Sequence, residues 1–192
     1  MAKVNVYSLT EKMPLYVLGK GLPATQESSE IEDSLSEWIN RRHKTGKLGE
    51  KIAYNFLQGK FSNVTPALKD SYGYDIQADN QYFEVKTSTS KRRDFIVTIN
   101  ELKTADKHKE NYHIFYIMLD KVKSEAVGYI IGNPLESFEI SLSELFQSTQ
   151  KGNVCFDAVV YKIQLGDFLD AIEKIDLSDI LRKVENKQHS KK

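Results

Sequence analysis

The stretch "GYDIQADNQYFEVKTS", residues 73–88, decides how the chain is read. Its apolar residues alternate on either side of a polar centre, the pattern of two short strands joined by a tight turn. With Asp79 and Asn80 as a two-residue turn, Ile76 faces Phe83 and Tyr74 faces Val85. These four make one apolar, more buried face. Asp75 then faces Glu84 on the other side, and Lys86 stands beside Glu84 at the same-face spacing of two. A four-residue loop over residues 78–81 preserves this register.

Like charges placed directly opposite one another on a sheet destabilise it. Two carboxylates ~4 Å apart repel by about 4 kcal/mol at an effective dielectric of ~20. Lys86 offsets part of that repulsion. A divalent cation offsets more, and hard oxygen ligands suit magnesium or manganese. The Asp75–Glu84 pair therefore makes chemical sense as half of a metal site. Glu50 is a third candidate ligand. It lies in "TGKLGEKIAYNFL", where Leu48, Ile52, Phe56 and Leu57 form the apolar stripe of a helix capped by Thr45 and ended by Gly59. Gly46 and Gly49 are expected to let this helix approach the sheet closely, at a cost in helix propensity of ~1 kcal/mol each.

The whole chain bounds the possibilities. It has 192 residues, 40% of them hydrophobic and 28% charged, which suits a single well-packed domain. No apolar run approaches the ~18 residues of a membrane span, and the N-terminus lacks the layout of a signal peptide. A soluble, cytoplasmic protein is expected. Cys155 stands alone, which excludes an internal disulfide and a cysteine-built zinc site. Formal net charge is zero, so bulk charge does not announce nucleic acid. The charge is uneven, however. Residues 27–37 are acidic, the tail from Arg182 is basic, and Lys91, Arg92 and Arg93 form a compact basic cluster.

Further elements read as follows. Residues 3–9 suggest a strand, and 28–43 a helix with Ile31, Leu35, Trp38 and Ile39 at helical spacing. "NVTPAL" and "DFIVTI" are strand-like, and Asn100 is a candidate cap for a helix over residues 101–111. "YHIFYIML" is a continuous apolar run, as in a central strand covered on both faces. "AVGYIIG" and "VCFDAVVYKI" suggest strands with "SLSELFQ" as a short helix between them, and residues 167–186 a C-terminal helix. The fold class is α/β or α+β, with one mixed sheet flanked by helices. Three spans follow: an N-terminal extension with a helix (1–43), a core (44–120), and C-terminal strands and a helix completing the same domain (121–192). His108 and His113 lack the spacing of a zinc-hydrolase helix, and no P-loop is present.

An Asp, then Glu-x-Lys on the next strand, preceded by a helical Glu, resembles the PD-(D/E)xK nuclease superfamily. Within it, residues 44–120 resemble the NO VEIN C-terminal domain family. The match runs in order through Glu50; Gly73, Tyr74 and Asp75; Glu84, Lys86, Thr87 and Ser88; and Thr98, Asn100 and Glu101. No proline precedes Asp75. The resemblance implies a restriction endonuclease-like fold. It also implies a magnesium- or manganese-dependent DNA endonuclease, in a family found beside restriction and phage-defence systems. Asp75 and Glu84 would hold the metal with the carbonyl of Val85, and Glu50 would stand in or near its coordination shell. Lys86 would orient or deprotonate the attacking water, or stabilise the transition state. Thr87, Ser88, Thr98 and Asn100 are candidates for contacts to the nucleic acid, and Lys91, Arg92 and Arg93 for a grip on its backbone.

Double-strand cleavage often uses two active sites, which makes a homodimer an expectation. A partner ATPase, helicase or methyltransferase would supply any translocation or modification. Two alternatives stay open: a non-catalytic nucleic-acid-binding or assembly module that keeps the fold, and a structure-specific nuclease of repair or recombination.

Overall fold

Why the chain folds as it does is clearest around its longest apolar strand. The computed structural model describes residues 3–8, 43–68, 72–89, 93–143 and 159–189. Strand β1 is Lys3–Ser8 and helix α1 spans 43–58. They are followed by β2 (Val64–Pro66), β3 (Ile76–Ala78), β4 (Gln81–Ser88), β5 (Asp94–Thr98), α2 (Ile99–His108) and β6 (Tyr112–Asp120). Next come β7 (Glu125–Ile131), α3 (Pro134–Ser137), β8 (Val159–Gln164), β9 (Ile175–Asp176) and α4 (Ser178–His189). Residues 28–42 of the helix predicted over 28–43, together with Lys91, Arg92, Cys155 and most of "SLSELFQ", lie outside the described residues.

The class is α+β, with a mixed sheet flanked by helices. The strands are divided between two sheets where one had been expected: β2-β3-β4-β6-β7-β9, and a smaller β1-β8-β5. Among the described residues β4 and β6 run parallel, and the other pairings are antiparallel. The β4–β6 connection leaves the larger sheet, contributes β5 to the smaller one, and returns through α2.

β6 is the axis of the molecule. Its alternate side chains serve two cores, as a strand covered on both faces must. Tyr112, Ile114 and Tyr116 join Leu102 and Ala105 of α2 with Phe95, Val97, Tyr161 and Ile163 of the smaller sheet. Phe115, Ile117 and Leu119 point the other way, into Ile52, Ala53 and Leu57 of α1 and Leu181 of α4. The larger sheet is thus sandwiched between α1 and α4 on one face and α2 with the smaller sheet on the other.

The β3–β4 hairpin has the predicted register, with Ile76 paired to Phe83 and Ala78 to Gln81. Asp79 takes φ 49° in the turn, a left-handed conformation that Asp tolerates better than most residues. The alternation does not reach Tyr74. β3 begins only at Ile76, and Tyr74 packs with Tyr82 on the opposite side from Ile76, Phe83 and Val85.

Three boundaries also differ from expectation. α1 is already helical at residue 43, so Thr45 lies within the helix and does not cap it. α2 is capped by Thr98, whose side chain accepts from the Glu101 N–H, and Asn100 already lies within the helix. The predicted C-terminal helix is a 3₁₀ turn over Gly166–Ala171, then β9, then α4. Asp176 accepts from the Ser178 N–H at 2.9 Å and starts α4, while the Ser178 hydroxyl accepts from Ala126 N–H of β7 at 3.2 Å. Helical spacing in "FLDAIEKIDL" had concealed this break.

Gly49 is the point of closest approach between α1 and β4. A Cβ there would lie 2.9 Å from Thr87 Cβ and 3.0 Å from its Cγ2, and closer still to its Oγ1. Gly46 meets nothing within 4 Å, so its expected role in the approach is absent. Gly49→Ala should lower stability by about 1–3 kcal/mol despite the better helix propensity of alanine. The same change in a Thr87→Ala background should cost much less, because the obstructing atoms are gone. Urea melts of the double-mutant cycle check this, and additive losses would show that the contact is not the cause.

Candidate functional site

The candidate site forms where β3 stops pairing with β4. The Asp75 N–H donates to the Phe83 carbonyl at 2.9 Å, and its carbonyl accepts from Ala67 N–H at 2.8 Å. Its carboxylate then takes over from the backbone ladder, with Oδ2 accepting from the Val85 N–H at 2.7 Å. Asp75 is therefore held against the backbone between Glu84 and Lys86 by the end of its own strand.

Glu84 and Lys86 project from β4 towards α2, on the Tyr112–Tyr116 side of the sheet. Glu84 is 7% exposed, which is rare for a glutamate without a partner. Lys86 Nζ lies 2.8 Å from Glu84 Oε1 and 2.9 Å from Glu101 Oε2. Glu101 performs two tasks with that oxygen, since Oε2 also accepts from Thr98 N–H at 3.0 Å while Thr98 Oγ1 accepts from Glu101 N–H. The capping box that begins α2 thus delivers a carboxylate to the lysine. The Thr98-x-x-Glu101 spacing is a legible signal for the capping box, though not for the contact with Lys86.

The electrostatics are those of an acidic cluster with one cation in its middle. Burial pushes Asp75 up to about 6; the Val85 N–H and Lys86 pull it down, while Glu50 and Glu101 push it further up. Burial also raises Glu84 well above the usual range, opposed by Lys86 and reinforced by Glu101 and Asp75. Burial alone would lower Lys86, but Glu84 and Glu101 outweigh it and hold the ammonium protonated. Asp75, Glu84 and Glu101 thus gather about the Lys86 ammonium, with the charge of Glu50 acting on Asp75.

The remaining expected site residues are distributed as follows. Glu50 is exposed on α1, and its charge reaches Asp75. The Thr87 hydroxyl is buried against Gly49 without a partner, facing α1 and not the carboxylates. Ser88 is hydrogen-bonded to Tyr116. Thr98 is occupied as the helix cap, and the Asn100 carbonyl accepts from Thr104 Oγ1 at 2.9 Å. Arg93 Nη1 lies 2.8 Å from both carboxylate oxygens of Asp170, so its charge is already matched. Tyr112, which sequence reading took only as core, donates its hydroxyl to the Gly73 carbonyl at 2.8 Å and fixes the approach to Asp75.

Among the described residues, no three His, Cys, Asp or Glu side chains are gathered as one metal-ligating group. Magnesium does not require such a cage. It commonly takes one or two carboxylates and fills its shell with water and substrate phosphate. The donor set here, a buried Glu84 and a half-buried Asp75, both hard carboxylates of raised pKa, suits that kind of ion. No helix among the described residues is long and apolar enough to cross a membrane.

The structure and site define an α+β domain with a partly buried acidic cluster beside its central parallel strand pair. Residues 49–130 match the family described as "Protein NO VEIN, C-terminal". The chain is 30% identical over 94 residues to "Protein NO VEIN" of Arabidopsis thaliana, an alignment covering 43% of this chain and 3% of that protein. The chain therefore spans a very small part of that relative's length. No solved structure matches.

The raised pKa of Asp75 fixes a pH dependence. Between about 4 and about 6 the folded chain holds a proton at Asp75 that the unfolded chain releases, so this group costs stability as pH rises through that window. Asp75→Asn should therefore be more stable than wild type at pH 8 in metal-free buffer, by about 1–3 kcal/mol. The difference should vanish near pH 4. Denaturant melts across the range test it, and an Asn variant equally destabilised at both ends would contradict it.

Proposed function

We infer that this chain is a metal-dependent DNA endonuclease of the PD-(D/E)xK kind, hydrolysing phosphodiester bonds with magnesium or manganese as cofactor. The observation that carries this reading is the excess of buried or half-buried carboxylate around Lys86. Asp75 and Glu84 both have raised pKa values, Glu101 shares the lysine, and the charge of Glu50 reaches Asp75. Perturbed carboxylates beside a buried ammonium are a common signature of a catalytic centre.

Asp75, Glu84 and the Val85 carbonyl would hold the cation, with Glu50 acting from the solvent side. When bound, the cation would neutralise charge on the phosphoryl oxygens and favour ionisation of the attacking water. The Val85 N–H keeps the Asp75 carboxylate aimed at a fixed point. Glu101 keeps Lys86 protonated and stationary, so its ammonium acts as a fixed electrostatic donor to developing negative charge, a role suited to a preorganised site. Its high pKa argues against Lys86 as the general base in the resting arrangement. A setting in restriction or defence against foreign DNA, a homodimer, and a partner ATPase, helicase or methyltransferase complete the proposal. They rest on the family resemblance.

One observation favours a second reading. Lys86 is closed between Glu84 and Glu101 at 2.8 and 2.9 Å, the arrangement of an ion-pair core that could serve structure alone. A non-catalytic nucleic-acid-binding or assembly module would keep it.

Supercoiled plasmid incubated with magnesium, manganese or EDTA separates the two. Wild type should nick or linearise plasmid only with the cation. Asp75→Asn, Glu84→Gln and Lys86→Ala should each lose roughly 100-fold or more in rate, with folding checked by circular dichroism. Cleavage that survives EDTA or the loss of Lys86 would contradict the mechanism. A folded wild type that cuts neither duplex, branched nor single-stranded DNA would favour the non-catalytic module.

A further inference from the structure

Beside the carboxylates runs a ladder of aromatic rings that the mechanism does not use. Tyr72 stacks on Tyr74 with centroids 5.8 Å apart and planes 23° from parallel. Tyr74 meets Tyr82 edge-on at 5.0 Å, and Tyr82 meets His108 of α2 at 3.7 Å. The inner end is anchored, with Tyr74 and Tyr82 packed against the α2-side core. The outer end is open, for Tyr72 is 41% exposed.

The ladder is held in place independently of any ligand. Thr104 Oγ1 lies 3.1 Å from the Tyr72 carbonyl, which shares the hydroxyl's single proton with the nearer Asn100 carbonyl, and the Gly73 carbonyl accepts from Tyr112 at 2.8 Å. Gly73 has φ 70°, and a Cβ there would lie 2.9 Å from the Asn100 carbonyl oxygen and 3.0 Å from Thr104 Cβ. Only glycine allows the turn to press this closely onto α2. A large tyrosine is therefore presented at the surface on a backbone already fixed.

Its position gives it a purpose. Tyr74 directly precedes Asp75, and Tyr82 shares a strand face with Glu84 and Lys86, successive same-face side chains lying ~7 Å apart. A chain lying along the ladder would bring its next phosphates to the carboxylates. Lys107, at the α2 end of the ladder, is close enough for its charge to act on His108.

We propose that Tyr72 is the outer step of a base-stacking platform, and that the substrate presents unpaired nucleobases to it: single-stranded or locally opened nucleic acid. Every base has a π-face, so a stacked ring extends the Tyr72–Tyr74 pair without sequence preference. A paired duplex hides its base faces and gains nothing from this surface. The proposal rests on the nuclease reading for its substrate class and deepens it.

The test is binding of the full chain, in EDTA and separately with magnesium, to a fluorescein-labelled unpaired oligothymidine and to a duplex of equal length. Fluorescence anisotropy reads the affinity. Wild type should prefer the unpaired strand. Tyr72→Ala should weaken that binding about tenfold while leaving duplex binding unchanged, and Tyr72→Trp should restore it. Because Tyr72 is exposed, the variants should melt with wild type. Equal affinity for both strands, no binding to the unpaired strand in either buffer, or unchanged binding by Tyr72→Ala would overturn the platform. Tyr72-dependent binding without cleavage under any cation would support the platform and count against the nuclease reading. Cation-dependent cleavage indifferent to Tyr72 in both binding and rate would remove the platform alone.

Discussion

Lys86 carries its ammonium into the protein between Glu84 and Glu101, and much of the architecture is arranged around that contact. An unpaired charge at this depth would cost several kcal/mol, so the three groups must be placed together or not at all. Glu84 and Lys86 come from one strand, whereas Glu101 comes from the first turn of α2, which the same carboxylate caps. The ion triad thus fixes how α2 enters its helix and how it lies on the parallel β4–β6 pair. It also leaves the site with more negative charge than Lys86 can neutralise once Asp75 and Glu50 are counted. The triad secures the fold.

The site is assembled from two kinds of constraint that are local in sequence. At the hairpin, β3 ends one residue after Asp75, counting back from the turn, so the Asp75 side chain and not its carbonyl meets the Val85 N–H. At α1, Gly49 lacks the Cβ that would collide with Thr87, and Glu50 is left on the exposed flank, its charge reaching Asp75. Neither feature requires a high overall charge. The formal net charge is zero, so any attraction for nucleic acid must come from local groups.

The hairpin register was legible because alternation and turn chemistry agree: a one-residue slip would bury charges and expose Ile76, Phe83 and Val85 together. β6 and the α1 stripe were legible for the same kind of reason. Tyr74 was not, because alternation holds only while a strand remains paired, and pairing stops at Ile76. The start of α2 was misplaced because Asn100 and Thr98 are both good capping residues, and the deciding signal was Glu101 three residues beyond Thr98. The break before α4 escaped because Ile172, Ile175 and Leu177 fit a helix or an edge strand almost equally; the Ser178–Ala126 contact decides it, and that is a tertiary fact. Glu101 itself, the partner of Lys86, could not be assigned from spacing alone because the contact spans two elements.

The central claim is that the acidic cluster at Asp75 and Glu84 receives a divalent cation. A manganese titration followed by ¹H–¹⁵N NMR tests it most directly, since the paramagnetic ion broadens resonances near its own position. The account predicts selective loss of the amide signals of Asp75, Ile76, Glu84, Val85 and Lys86 at low manganese, reversed by EDTA and absent in Asp75→Asn. Broadening confined to the acidic stretch of residues 27–37, or no selective broadening at any ratio, would contradict it.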